Sequence, residues 1–181
     1  MAEFALRKAV RGDVPAIVRL CRETIPEVYG PIIPAEALHP WVEGDAVTAL
    51  VEEQWPRMTV AVAAGGAGVD GVDEGEEGGV VGVAATFEDA VDLLWVHPHH
   101  QGRGIGTALL GRLEAEMRAG GHRTGRLCCF TENLRAMRFY QGRGWTAAGE
   151  GVNEETGAPE TRMEKCLMEE GGRDRRAPRR P

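Results

Sequence analysis

The order of polar and apolar residues divides the chain into short blocks with either a two-residue or a 3.6-residue period, which are typical of strands and helices. After Asp13, a favourable N-cap residue, Ile17, Leu20, Cys21 and Ile25 recur at helical spacing. We expect Pro26, Gly30, Pro31 and Pro34 to break that helix. Two further helices are predicted at 45–55 and 133–141, and a fourth begins at the glycines near 104 and runs through Met117. Strands are predicted at 3–10, 58–64, 80–88, 90–96, 123–130, 145–150 and 161–168.

The resulting order of elements is β-α-α-β-β-β-α-β-α-β-β. Such an order, in which helices interrupt a series of strands joined by short turns, predicts an α/β (α+β) protein. We expect one mixed, mostly antiparallel sheet with helices on both faces.

Length and composition favour one globular domain. The chain has 181 residues, of which 43% are hydrophobic and 27% charged, and we assign residues 1–170 to a single domain. Within it, residues 65–79 contain seven glycines and five acids, so we expect a flexible loop there. Residues 171–181 are rich in arginine and are expected to form a disordered basic tail.

Charge and hydropathy exclude several classes of protein. A net charge of −7 argues against a nucleic-acid-binding protein, because phosphate binding needs a basic surface. No stretch approaches the roughly 20 apolar residues of a membrane span, so we expect no membrane partner and a cytoplasmic protein. His97, His99 and His100 crowd one loop, but no Cys or His has zinc-site spacing to them, and we expect no metal. The four cysteines are expected to be reduced thiols.

The glycine-rich segment after the strand at 90–96 predicts an anion-binding site. Gln101-Gly102-Arg103-Gly104-Ile105-Gly106 joins the strand to a helix N-terminus, where unpaired N–H groups and the helix dipole favour negative charge. A P-loop is excluded because Gly-Lys-Ser/Thr is absent, and a dinucleotide fingerprint is disfavoured because Thr107 stands at its third glycine position.

Two linked motifs resemble the GNAT (N-acetyltransferase) family. Gln101-x-x-Gly104-x-Gly106 is similar to the family's pyrophosphate loop for acetyl-CoA. About thirty residues later, the segment from Asn133 through Phe139-Tyr140 to Gly144-Trp145 resembles the family pattern N-x-x-A-x-x-F-Y-x-x-x-G-F, with Trp in place of the usual Phe. The resemblance extends more weakly from about Glu3 to Met168, and the fold it implies agrees with the predicted order of elements.

This resemblance implies a role for each motif residue. Acetyl-CoA would be the acyl donor, and its pantetheine arm would pair with a bulged strand end at Leu94, Trp95 and Val96, which splays away from the strand near 127–130. Asn133 would touch the arm, and Tyr140 would protonate the departing thiolate. The backbone N–H groups of the loop would hold the pyrophosphate, and the Arg103 side chain would add charge. The loop residues are Gln101, Gly102, Arg103, Gly104, Ile105, Gly106 and Thr107.

The general base is less narrowly defined. Strand alternation would place Asp92 on the same face as Leu94 and Val96, and Glu88 lies just before this strand, so both are candidates. An ordered water is the alternative, as in other members of the family. We expect the acceptor pocket around residues 29–34 and Trp41, with help from the closing hairpin.

The predicted function is acetyl transfer from acetyl-CoA to a primary amine of a small molecule, within a ternary complex. Two alternatives stay open: acetylation of a protein N-terminus or lysine, and a coenzyme-binding sensor without turnover. A homodimer is compatible with the sequence, which does not define the oligomeric state.

Overall fold

The computed structural model describes residues 4–63 and 79–168. The segment predicted as a flexible loop, apart from Gly79, and the predicted basic tail lie outside the described residues. The strands are β1 (Phe4–Lys8), β2 (Thr59–Ala63), β3 (Val80–Phe87), β4 (Ala90–Val96), β5 (Thr124–Phe130), β6 (Thr146–Val152) and β7 (Pro159–Cys166). The helices are α1 (Val14–Tyr29), α2 (Ala35–Val42), α3 (Ala46–Gln54), α4 (Ile105–Ala119) and α5 (Leu134–Gln141).

The seven strands form one sheet in the order β1-β2-β3-β4-β5-β7-β6. Every neighbouring pair is antiparallel except β4 and β5, which are parallel. The prediction of a mixed, mostly antiparallel sheet is confirmed. The exceptional parallel pair lies near the middle of the sheet, and the cleft described below opens there.

Helices cover both faces of the sheet, as predicted. On one face, α1 and α3 pack against Val60, Val83 and Leu93. On the other face, α4 packs against Ala61 and Ala84, and α5 joins the same apolar cluster through Tyr140. The helix α4 lies so close to β3 that a Cβ at Gly82 would come within 3.0 Å of the Ile105 side chain, so this position requires glycine.

Two details of the first helices differ from the sequence prediction. Of the residues expected to break α1, Pro26 lies inside the helix, which continues to Tyr29 and has Gly30 as its C-cap. A proline this close to the end removes one hydrogen bond, while buried Ile25 keeps the turn packed. The short helix α2 was not predicted, since Pro40 within it hides the helical period. Its residues Leu38 and Trp41 pack against the core beneath α1.

In the described part of the chain, no helix is long and apolar enough to cross a membrane.

A largely buried ion pair between Glu114 and Lys165 joins α4 to β7. The Glu114 carboxylate accepts two hydrogen bonds from Lys165 Nζ, both 2.8 Å long, and one of 3.0 Å from Trp145 Nε1. The Glu114 side chain is 10% exposed and the Lys165 side chain is 23% exposed. On the same helix, Glu116 pairs with Lys8 at 2.9 Å, but there the lysine side chain is 46% exposed.

We expect these two pairs to differ in their effect on stability. Lys165→Met retains the length of the side chain but leaves the Glu114 carboxylate buried without its cation, which we expect to lower the free energy of unfolding by about 3 kcal/mol. Lys8→Met is the matched control and should cost less than about 1 kcal/mol, because the lysine is largely exposed and Arg112 still pairs with Glu116 at 2.9 Å. Urea unfolding of both variants measures the difference, and equal losses would contradict it.

Candidate active site

The parallel strands β4 and β5 separate almost as soon as they meet. They share a single pair of partners, Ala90 and Arg126, although each strand has seven residues. A bulge at Asp92 shifts the register of β4 against β3, since Leu93 pairs with Ala85 whereas Val91 pairs with Thr86. Bulges bend the strand that carries them, so this one accounts for the divergence. The predicted separation of β4 from β5 is confirmed, and the bulge in β4 lies two residues before Leu94.

A cleft of about 870 Å³ lies between the separated strands. It is lined by residues of α1, β4, the glycine loop, β5, α5 and the hairpin β6–β7. The predicted site residues among the lining are Asp92, Leu94, Trp95, Val96, Gln101, Gly102, Gly104, Gly106, Thr107, Asn133 and Tyr140. The predicted residues Glu88, Arg103 and Ile105 do not line it.

The edge of β4 presents backbone groups to this cleft. The His97 N–H donates to the Val81 carbonyl on the β3 side, at 3.0 Å. Because backbone groups of successive strand residues point to opposite edges, those of Val96 and Leu94 point away from β3 and into the cleft. The Val96 carbonyl accepts a hydrogen bond of 2.9 Å from Gln101 Nε2, which confirms this direction. The N–H groups of Leu94 and Val96 therefore face the cleft.

The glycine loop has the geometry of an anion site. Gly102 and Gly104 have φ angles of 78° and 84°, which favour glycine, and Gly104 is the N-cap of α4. The first hydrogen bond of α4 runs from the Ala108 N–H to the Gly104 carbonyl. The N–H groups of Ile105, Gly106 and Thr107 thus have no acceptor within the helix. Ile105 contributes its backbone alone, because its side chain is buried in the core.

A contact not anticipated from the sequence joins this loop to α5. A Cβ at Gly106 would lie 3.3 Å from the Phe139 ring, a tight contact, so glycine favours the close approach of α5 to α4. The Arg143 guanidinium stacks on the same ring at 3.9 Å, donates to the Phe139 carbonyl at 2.8 Å, and also donates to the Thr107 hydroxyl. Arg143 thereby links the two motifs that are separate in the sequence.

Asn133 caps α5, as predicted. Its Oδ1 accepts a hydrogen bond of 3.1 Å from the Ala136 N–H, and the residue lines the cleft. The cap uses only the oxygen of the side-chain amide, so Nδ2 remains a donor for a ligand.

Tyr140 lies in the last turn of α5, with its ring packed edge-to-face against Phe139 and Trp145. The residue is 9% exposed and lines the cleft, and within the described residues its hydroxyl makes no hydrogen bond. Burial raises the pKa of this hydroxyl well above its usual value, and the neighbouring Cys129 and Tyr29 add to the shift. The group therefore keeps its proton at neutral pH.

The two candidate bases occupy different environments. Asp92 is the bulged residue of β4, lines the cleft, and lies 3.9 Å from Arg57 Nη2. Alternation fails here, since Val91 belongs to the core on the α4 face and Leu93 to the core on the α1 face. Regular alternation therefore does not determine the face of Asp92, and its sharing a face with Leu94 and Val96 stays a prediction. Glu88 is an exposed residue of the β3–β4 turn, with a φ of 54°.

The three loop histidines lie after β4. His97 Nε2 is 3.0 Å from the Glu23 carboxylate, which ties α1 to the end of β4. Burial, Arg103 and the other two histidines lower the pKa of His100. Over residues 4–63 and 79–168, no three potential ligands are grouped closely enough to hold a metal ion.

The α1 side of the cleft is aromatic and acidic. The Tyr29 hydroxyl accepts a hydrogen bond of 3.2 Å from Trp95 Nε1, and its ring packs edge-to-face on Phe130 at 5.4 Å. Glu27 and Glu160 also line this side. Of the predicted acceptor region, Tyr29 lines the cleft, whereas Trp41 packs against the core. The closing hairpin, expected to help form the acceptor pocket, contributes Asn153 and Glu160 to the cleft lining. The residues of α1 before Tyr29 were not named from the sequence, because their position depends on how distant elements pack.

Comparisons with known proteins agree with this architecture. Residues 21–145 match the model of the acetyltransferase (GNAT) family. No curated protein sequence matches significantly.

Solved structures share the fold. A GCN5-related N-acetyltransferase from Rhodopseudomonas palustris is 22% identical with a TM-score of 0.71, covering 92% of this chain and 97% of its own. The PaiA N-acetyltransferase of Thermoplasma acidophilum, solved with coenzyme A, is 18% identical with a TM-score of 0.67, covering 90% and 98%. YncA of Salmonella typhimurium, solved with acetyl-CoA, is 23% identical with a TM-score of 0.63, covering 95% and 98%.

The anion site can be tested by introducing an aspartate at the N-cap of α4 and, as a control, at an exposed position farther along the same helix. Gly104→Asp puts a carboxylate where we expect the pyrophosphate, and aspartate tolerates a positive φ better than most residues. We expect the affinity for acetyl-CoA to fall by roughly 100-fold or more, as measured by titration calorimetry.

Gly111→Asp is the matched control. Gly111 is exposed on the same helix and a Cβ there meets nothing within 4 Å, so this variant should bind acetyl-CoA like the original protein. Unchanged affinity in a folded Gly104→Asp protein would contradict the assignment of the loop.

Proposed function

Because this chain belongs to the acetyltransferase (GNAT) family, we propose that it transfers the acetyl group of acetyl-CoA to a primary amine of a small molecule. The observation that carries the proposal is the cleft between β4 and β5, which the anion site borders on one side and an aromatic and acidic surface on the other. We infer that the two substrates bind on these two sides at the same time and that the transfer is direct.

The coenzyme occupies the α4 side of the cleft in this proposal. The N–H groups at the start of α4 hold its pyrophosphate, and the glycines allow close approach. Its pantetheine amides pair with the backbone of Leu94 and Val96, in the manner of an added strand. Asn133 Nδ2 donates to the same arm. The thioester then lies near the bulge of β4, with Tyr140 beside its sulfur.

The reaction requires three proton transfers and the stabilisation of one developing charge. The acceptor ammonium must lose a proton before its nitrogen attacks the thioester carbonyl. A backbone N–H of β4, at Leu94, stabilises the oxyanion that forms. The carbon–sulfur bond then breaks, and the Tyr140 hydroxyl protonates the leaving thiolate. The nitrogen loses its second proton, which restores the Tyr140 hydroxyl, so that the net products are the acetylated amine, coenzyme A and one proton.

Asp92 is the carboxylate best placed to receive the first proton. It lines the cleft, and Arg57 Nη2 lies 3.9 Å from its carboxylate. Glu88 is outside the cleft lining and could act only through a chain of waters. An ordered water in the cleft is the alternative to both.

A protein or peptide acceptor is the second candidate. A smaller cavity of about 570 Å³ shares Val91, Asp92, Leu127 and Cys128 with the cleft and continues along the sheet past Arg126 and Arg162. An extended peptide could lie along this surface. Screening small amines and peptides side by side for thiol release from acetyl-CoA separates the two candidates, and thiol release with neither set would contradict an acetyltransferase acting on amines.

The role of Tyr140 can be separated from its packing. Tyr140→Phe keeps the ring and removes a hydroxyl that has no hydrogen-bond partner among the described residues, so we expect thermal stability and acetyl-CoA affinity to change little. If the hydroxyl protonates the thiolate, kcat should fall by about 10²–10⁴-fold. Steady-state kinetics at saturating acetyl-CoA measure the effect, and an unchanged kcat would exclude this role.

A further inference from the structure

The two sides of the cleft carry opposite charge. The arginines that line it, Arg135 and Arg143, belong to the coenzyme side, because one lies in the first turn of α5 and the other binds Thr107 of the glycine loop. The α1 side presents Glu27 and Glu160 instead. A phosphorylated coenzyme explains the arginines but leaves the two carboxylates unexplained.

Neither carboxylate is neutralised by an ion pair within the described residues. Glu27 is exposed in the last turns of α1 and has no hydrogen bond or ion pair there. Glu160 is half-buried at the start of β7 and accepts a hydrogen bond of 3.3 Å from Asn153 Nδ2. Arg162 lies two residues farther along β7 and lines the smaller cavity, not the cleft. Burial and Glu160 raise the pKa of the Cys128 thiol, so that this neighbour stays uncharged.

Aromatic and hydroxyl groups between these acids provide a separate indication of a cation. The rings of Tyr29, Trp95 and Phe130 line the same side of the cleft, and aromatic faces attract ammonium groups. Thr24, one turn before Val28 on α1, is 1% exposed and lines the cleft, yet its hydroxyl has no hydrogen-bond partner. A buried hydroxyl without a partner is unusual, and a bound N–H donor would satisfy it.

The nitrogen that is acetylated cannot be the cation that these groups retain. It must be neutral to attack, and it becomes an uncharged amide. Lasting attraction to two carboxylates therefore requires another positive charge elsewhere in the same molecule. We propose that the acceptor is a diamine or polyamine, whose second ammonium group is held by Glu27, Glu160 and the neighbouring aromatic rings. This inference rests on the proposed function and names its acceptor class.

The test compares acceptors that differ in one charge. 1,4-Diaminobutane and n-butylamine have the same carbon chain, and 4-aminobutyrate replaces the second ammonium with a carboxylate. We expect kcat/KM to be highest for the diamine and lowest for the amino acid. Glu27→Gln and Glu160→Gln should each raise KM for the diamine by about 10- to 100-fold, with little change for butylamine and in kcat.

Glu154→Gln is the matched control, because Glu154 is exposed in the β6–β7 turn and does not line the cleft. It should leave all three acceptors unaffected. Equal use of diamine and butylamine, or equal losses for both in the Glu27 and Glu160 variants, would overturn the inference and leave the proposed function intact. Acetyl-CoA binding without transfer to any amine would overturn both.

Discussion

The separation of β4 from β5 is the constraint on which the rest of the molecule depends. A parallel pair in the middle of a sheet would normally bond along its whole length, and here it does so at one pair of residues. The backbone groups of Leu94 and Val96 consequently face a cleft instead of a neighbouring strand. Unpaired backbone groups away from water are costly, so a ligand with amides of its own is the natural partner for this edge.

Two elements keep the separated strands in a defined geometry. The bulge at Asp92 redirects β4, and the Gln101 side chain closes the glycine loop back onto the Val96 carbonyl. On the other side, Arg143 joins α5 to the loop through Phe139 and Thr107. The tyrosine proposed as the acid and the loop proposed to bind the coenzyme therefore belong to one packed unit.

The parts of this site that the sequence predicted are those determined by local rules. The glycine conformations before α4 and the Asn133 cap follow from residues within a few positions of one another. The bulge at Asp92, the stacking of Arg143 on Phe139 and the acidic α1 side could not be predicted, because each depends on the packing of elements distant in the chain. The helix α2 and the end of α1 were missed for a different reason: buried contacts outweighed the prolines that signal an interruption.

The cleft passes between the strands, so it is bordered by both faces of the sheet. In the proposed arrangement, the coenzyme approaches from the face covered by α4 and the acceptor from the face covered by α1. Neither substrate then blocks the entrance of the other, and no binding order is imposed by steric exclusion. An unreactive acceptor analogue would therefore be noncompetitive against acetyl-CoA, and the acetylated product could leave while coenzyme A is still bound.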